Sequence, residues 1–166
     1  MKEPVVNLIF LRVAHHSSHS GYDQLQRFFP RRVPALLSRR WSRSYVIRAL
    51  NLLTAKATRS PWYTFAAFCL EAAAAVHMLF HRGEVYHILY GDSDCRLLPY
   101  LNGFRCHRVV ASIHQPPSEI PNGVYLKGLS RLAAVVVVAS NQRPALEAFV
   151  ASERVFVVPH GVDTEF

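Results

Sequence analysis

The run from Ala134 to Ala139 holds four consecutive valines and no polar residue. β-Branched side chains favour extended backbone. A strand without polar alternation has no face to turn to water, so it belongs in a parallel sheet covered by helices. Val5 to Ala14 reads in the same way, and Val85 to Tyr90, Arg108 to Ile113 and Val155 to Val158 supply further strands. Between them lie helical patterns at Tyr22 to Phe29, Trp41 to Ala57, Pro61 to His81, Asp94 to Leu101, Val124 to Leu132 and Asn141 to Val150. Strands alternating with helices imply right-handed βαβ crossovers. The expected fold is α/β, a Rossmann-like open parallel sheet with helices on both faces.

The chain has 166 residues, 51% of them hydrophobic, which suits one domain with a substantial core. Its formal net charge is +8, and the excess is concentrated. From Gln24 to Leu70 there is no acidic residue, while Arg27, Arg31, Arg32, Arg39, Arg40, Arg43, Arg48, Lys56 and Arg59 are cationic. Phe28, Trp41, Tyr45, Leu52 and Leu53 are interleaved with them. This mixture suits an anionic membrane surface; the alternative is a solvated Arg-rich helix pair. No nucleic-acid partner is expected, because no recognisable binding motif accompanies the charge.

Cys69, Cys95 and Cys106 are odd in number and lack CxxC spacing, which argues against a disulfide framework and for a reducing cytosol. Glu3 and Arg12 interrupt the apolar N-terminus, so it reads as a strand rather than a signal peptide. Ala66 to Phe80 contains Glu71 and His77 and falls short of the about 20 residues a spanning helix needs. It reads as a buried amphipathic helix. A cytoplasmic protein is expected, with any membrane contact peripheral, on the inner face.

Ligands of open parallel sheets lie beyond the carboxyl ends of the strands. After the first strand comes His15 His16 Ser17 Ser18 His19 Ser20 Gly21. Gly21 before a helix would let a backbone amide approach an anion. The three histidines are read as hydrogen-bonding groups lining an acceptor, the other reading being metal ligands without a completing carboxylate or cysteine. No metal site and no cofactor are expected.

The second loop is Gly91 Asp92 Ser93 Asp94. Its carboxylates can share a hard cation, but Asp94 serves better as cap of a following helix. In the third, Ile113 His114 Gln115 Pro116 Pro117, a histidine ends a strand and two prolines stiffen the exit. Ser140 and Asn141 follow the valine strand as caps or cleft residues, and Arg143 lies in the same first turn. The last strand stops at Pro159, and His160, Gly161, Val162 and Asp163 follow as a sharp turn.

The segment Val158 Pro159 His160 Gly161 Val162 Asp163 resembles the V-[IV]-P-[NH]-G-V-D pattern of glycosyltransferase family 4, retaining enzymes of GT-B fold. There it marks the crossing between two Rossmann-like domains. The resemblance implies that residues 1–158 are an N-terminal, acceptor-side domain and 159–166 the start of an interdomain linker, with the donor domain beyond. It implies transfer of a sugar from a nucleotide-sugar co-substrate to a glycan or lipid-linked acceptor. His114 then reaches the donor sugar as the catalytic residue. His19, Ser20, Gly21, Gly91, Asp92, Ser140, Asn141 and Arg143 face the cleft. The paired glutamates that neutralise the leaving diphosphate belong to the donor domain, so this piece alone is expected to be inactive. Asp92-x-Asp94 also matches the metal motif of GT-A glycosyltransferases, a reading that leaves the terminal motif unexplained.

Overall fold

The structure is a computed structural model that describes residues 5–9, 31–33, 44–60, 63–100, 108–116, 118 and 123–159. Among these residues six strands form one sheet: β1 (Val6–Ile9), β2 (Arg31–Arg32), β3 (Val85–Ile88), β4 (Val109–Ile113), β5 (Ala134–Val137) and β6 (Val155–Val157). Every pairing is parallel, in the order β2-β1-β3-β4-β5-β6. The fold is therefore the expected α/β, Rossmann-like open parallel sheet. From β1 the chain passes to one edge and then, at β3, returns to the other side of β1. In open parallel sheets ligands bind at the carboxyl ends of the strands where the order reverses, here between β1 and β3.

Among the described residues the helices are α1 (Tyr45–Thr58), α2 (Phe65–Phe80), the short α3 (Gly91–Asp94), α4 (Gly123–Leu129) and α5 (Arg143–Glu147). Ser44 Oγ caps α1 by accepting from Ile47 N, and Thr64 Oγ1 caps α2 by accepting from Ala67 N, both at 3.2 Å. These bonds satisfy amides that have no intrahelical partner. Asn51 Oδ1 accepts from Phe65 N at 2.8 Å, so the middle of α1 anchors the start of α2. Arg59 ends α1 in the left-handed region, φ 52°.

The core joins Ile9, Tyr86, Ile88, Val109, Ala111, Ile113, Val135 and Val137 of the sheet to Leu70, Ala74 and Met78 of α2, Tyr125 and Leu129 of α4, and Leu146 of α5. Each large aliphatic side chain buried in this way contributes about 1.5–3 kcal/mol. The valine strand is less evenly covered than its composition suggests: Val135 and Val137 are fully buried, Val136 and Val138 only partly.

Four sequence expectations are corrected. No strand was expected at Arg31–Arg32, yet these residues pair with Asn7 and Leu8, and Val33 N donates to Leu8 O at 3.1 Å. Backbone pairing at a sheet edge tolerates exposed arginines. The helix expected to open at Pro61 starts at Phe65, because Thr64 supplies the cap. The helix expected over Asp94 to Leu101 is instead α3 followed by a 3₁₀ turn at Leu98–Tyr100. Asp94 ends α3 rather than capping a helix that follows. Cys69 and Cys95 are free thiols.

Candidate functional site

The exits of β3, β4 and β5 meet at the carboxyl edge. On leaving β3 the chain turns at Leu89 and Tyr90 into α3, whose first residues are Gly91 and Asp92, both buried. A Cβ built on Gly91 would lie 2.9 Å from Ala111 Cβ, Ile113 Cδ1 and Ser112 O of β4. Only a glycine lets this turn lie against the neighbouring strand. The Tyr125 hydroxyl donates to Gly91 O and fixes the turn from α4.

His114 follows β4 directly. Its Nδ1 lies 3.6 Å from Asp92 Oδ1, an ion pair whenever the imidazole is protonated, and its backbone N–H makes a long bond of 3.4 Å to the same oxygen. The ring of Tyr90 lies 5.0 Å from that of His114, tilted by 42°. One strand exit thus supplies a carboxylate and an aromatic face to the imidazole carried by the next.

The exit of β5 completes the arrangement through Gln142. Its Oε1 accepts from Val138 N and Ala139 N, each at 3.0 Å, while its Nε2 donates to His114 O at 3.1 Å and Gln115 O at 3.0 Å. Gln142 is buried, and it satisfies four backbone groups that the loops leave without a partner in the ladder. Ser140 and Asn141 are exposed in the 3₁₀ turn Ser140–Gln142, which has no side-chain cap. The expected cap function of Ser140 is replaced by Gln142. Arg143 is engaged within its own segment: Nε donates to Glu147 Oε1 at 2.6 Å and Nη2 to Ser152 Oγ at 3.0 Å. That ion pair, with Ser152, holds the Glu147 carboxyl below its ordinary range.

Beneath the edge lies His87, whose Nε2 is 2.8 Å from Ser112 Oγ. Burial, and secondarily the proximity of His114, pushes the His87 imidazole down to about 4. It is therefore neutral around pH 7.

A buried polar cluster supports the α3 turn from behind. Glu71, in the middle of α2, accepts from the backbone N–H groups of Arg96, Leu97 and Leu98 at 2.6–3.0 Å and from Tyr63 Oη at 2.7 Å. Burial drives its carboxyl upward, and those donors oppose the shift. Arg96 places its guanidinium 3.5 Å from the Tyr125 ring centroid and donates to Asp92 O at 2.7 Å. α2, α3 and α4 are thereby tied together around Asp92.

Gly91, Asp92 and His114 lie together at the carboxyl edge of the sheet. Ser140 and Asn141 lie on the adjacent exit, and Pro159 is exposed just beyond β6. His15, His16, His19, Ser20, Gly21, His160, Gly161 and Asp163 lie outside the described residues. Tyr90, Tyr125, Gln142 and Glu71 were missed. Glu71 carried a signal, since a lone carboxylate in an apolar helix requires buried donors; Gln142 carried none.

The fold and edge geometry define a doubly wound parallel α/β domain with a polar site at its strand exits. Comparison with family models, with curated proteins and with solved structures finds no match. Among the described residues no helix is long and apolar enough to cross a membrane.

Proposed function

We propose that this chain is the acceptor-side domain of a retaining glycosyltransferase of the GT-B kind, taking a nucleotide-sugar as co-substrate. The observation that carries the reading is His114 at the exit of β4, held between Asp92 and Tyr90, with its loop clasped by Gln142. A strand-end imidazole flanked by a carboxylate and an aromatic ring, on a loop whose backbone is clasped, is oriented before substrate arrives, and such positioning lowers the barrier to group transfer. The terminal Pro159-His160-Gly161-Val162-Asp163 motif gives independent support from sequence. In this reading His114 hydrogen-bonds the donor sugar, and a second domain binds the nucleotide and stabilises the leaving diphosphate. The test is glycosyl transfer by the full-length protein across a panel of nucleotide sugars. His114→Ala is expected to lower turnover roughly 100-fold or more with the fold intact; near-wild-type turnover would remove His114 from the site, and transfer to no acceptor would remove the activity.

A second reading is supported by α1. Its exposed face carries Tyr45, Val46, Leu52 and Leu53 together with Arg48 and Lys56. Large apolar groups in water beside cations, on one side of a helix, are the features of a segment lying in an anionic membrane interface. This reading makes the domain a peripheral membrane module and is compatible with a lipid-linked acceptor.

A further inference from the structure

We propose that His77, His81 and Glu84 form a binding site for a divalent transition-metal ion of the zinc class, at the sheet edge opposite the candidate catalytic site. His77 and His81 stand one turn apart at the end of α2, and Glu84 immediately precedes β3. One imidazole nitrogen from each histidine and a carboxylate oxygen of Glu84 all lie within 4.8 Å of one another. The two rings are stacked, with centroids 3.7 Å apart and planes within 8°, so binding one ion through both requires the exposed His81 ring to turn until the two in-plane lone pairs converge. Histidines four apart on a helix can chelate one ion from the same side.

The outer contacts orient the three candidate ligands. His81 Nδ1 is 3.0 Å from His77 O, a carbonyl that can only accept, so Nδ1 carries the proton and Nε2 is left with its lone pair. His77 Nδ1 lies 2.7 Å from Tyr86 Oη, which fixes that ring and leaves Nε2 as its second nitrogen. Glu84 is held by Asn7 Nδ2 on one oxygen at 2.7 Å and by Arg31 Nη1 on the other at 2.8 Å. Metal-bound histidines and carboxylates are characteristically oriented by such second contacts. Two imidazoles and one carboxylate form a borderline donor set that suits zinc, cobalt or nickel and disfavours magnesium or calcium. Three protein ligands leave one tetrahedral position to water. Arg31, Asn7 and Glu84 connect the site to β2, β1 and β3, so a bound ion would fasten α2 to the amino-terminal edge of three strands.

The sequence points to no metal here: the candidate ligands it offers are His15, His16 and His19 and the pair Asp92 and Asp94, none of them in this cluster. The test uses the intact chain freed of metal by chelation, titrated with Co(II) and Zn(II), with Mg(II) as control. The expected result is one Co(II) per chain with the visible absorption of a four-coordinate ion, displaced by Zn(II), and no response to Mg(II). His81→Ala, at an exposed position, and the isosteric Glu84→Gln should each weaken binding at least about 10-fold while leaving the circular dichroism unchanged. The proposal is overturned if the chain takes up no Co(II), or if both variants bind as the parent does while replacing His15, His16 and His19 abolishes uptake.

Discussion

The side-chain amide of Gln142 donates to the main-chain carbonyl of His114 at 3.1 Å, so the loop after β5 holds the loop after β4 in place. Nothing about Gln142 is chemically reactive. Its importance is that four backbone groups depend on one buried side chain. Gln142→Ala should lower stability by about 2–4 kcal/mol, measured by urea denaturation, because desolvated amides and carbonyls lose their partners. A change below about 0.5 kcal/mol would mean that water replaces the clasp.

Gly91→Ala tests the contact between the α3 turn and β4. The added methyl meets a backbone oxygen and two β4 side-chain atoms at 2.9 Å, and the oxygen cannot rotate away. A loss of about 1–3 kcal/mol is expected, seen as a lower thermal midpoint. Unchanged stability would show that the turn relaxes freely.

Glu71→Leu removes the acceptor for three amides and the Tyr63 hydroxyl in one step. The expected cost is about 3 kcal/mol or more, whereas Tyr63→Phe, which leaves the amides bonded, should cost about 1 kcal/mol. Similar effects of the two changes would contradict a carboxylate held mainly by backbone donors.

His87 makes stability depend on pH. Its folded value is pushed down from 6.5 to about 4, so between those values the unfolded chain binds the extra proton. Stability from this group is complete above about pH 6.5 and falls as pH drops toward 4, by up to about 3 kcal/mol. Denaturation midpoints measured across this window should show that slope, and His87→Gln should flatten it. A slope that persists unchanged in the variant would assign it to other groups.

For α1, sedimentation with phosphatidylserine vesicles should be strong at low salt and fade as screening rises, since Arg48 and Lys56 supply the attraction. Leu52 is 73% and Leu53 64% exposed, so Leu52→Ser with Leu53→Ser should reduce binding without unfolding the domain. Binding that ignores both salt and these leucines would refute an interfacial role.

The sheet was legible because the main strands are apolar runs bounded by turn residues, and the valines of β5 leave no other arrangement. β2 was not legible: Arg31 and Arg32 have neither apolar character nor length, and only the exposed amides of β1 make them a strand. Gly91, Asp92 and His114 could be named because residues after parallel strands converge. Their actual supports could not, since Gln142 and Tyr125 are placed by helix position and bond from outside the loops they fix. The stacking of His77 and His81 was equally hidden. Their spacing is visible, but the approach of Glu84 depends on where α2 ends and β3 begins.

The strand order also has a consequence for how the polypeptide is made. β1 can join β2 soon after both leave the ribosome, but its other side matches Val6 to Val85 and cannot close until α1 and α2 have been synthesised. During that interval the amides and carbonyls along one flank of Val6–Ile9 are open to any extended strand nearby. β4, β5 and β6, by contrast, each dock on the strand made just before. The seam between β1 and β3 is therefore the one that waits longest after its first strand is made, and a nascent chain stalled before β3 would be the species most in need of a chaperone.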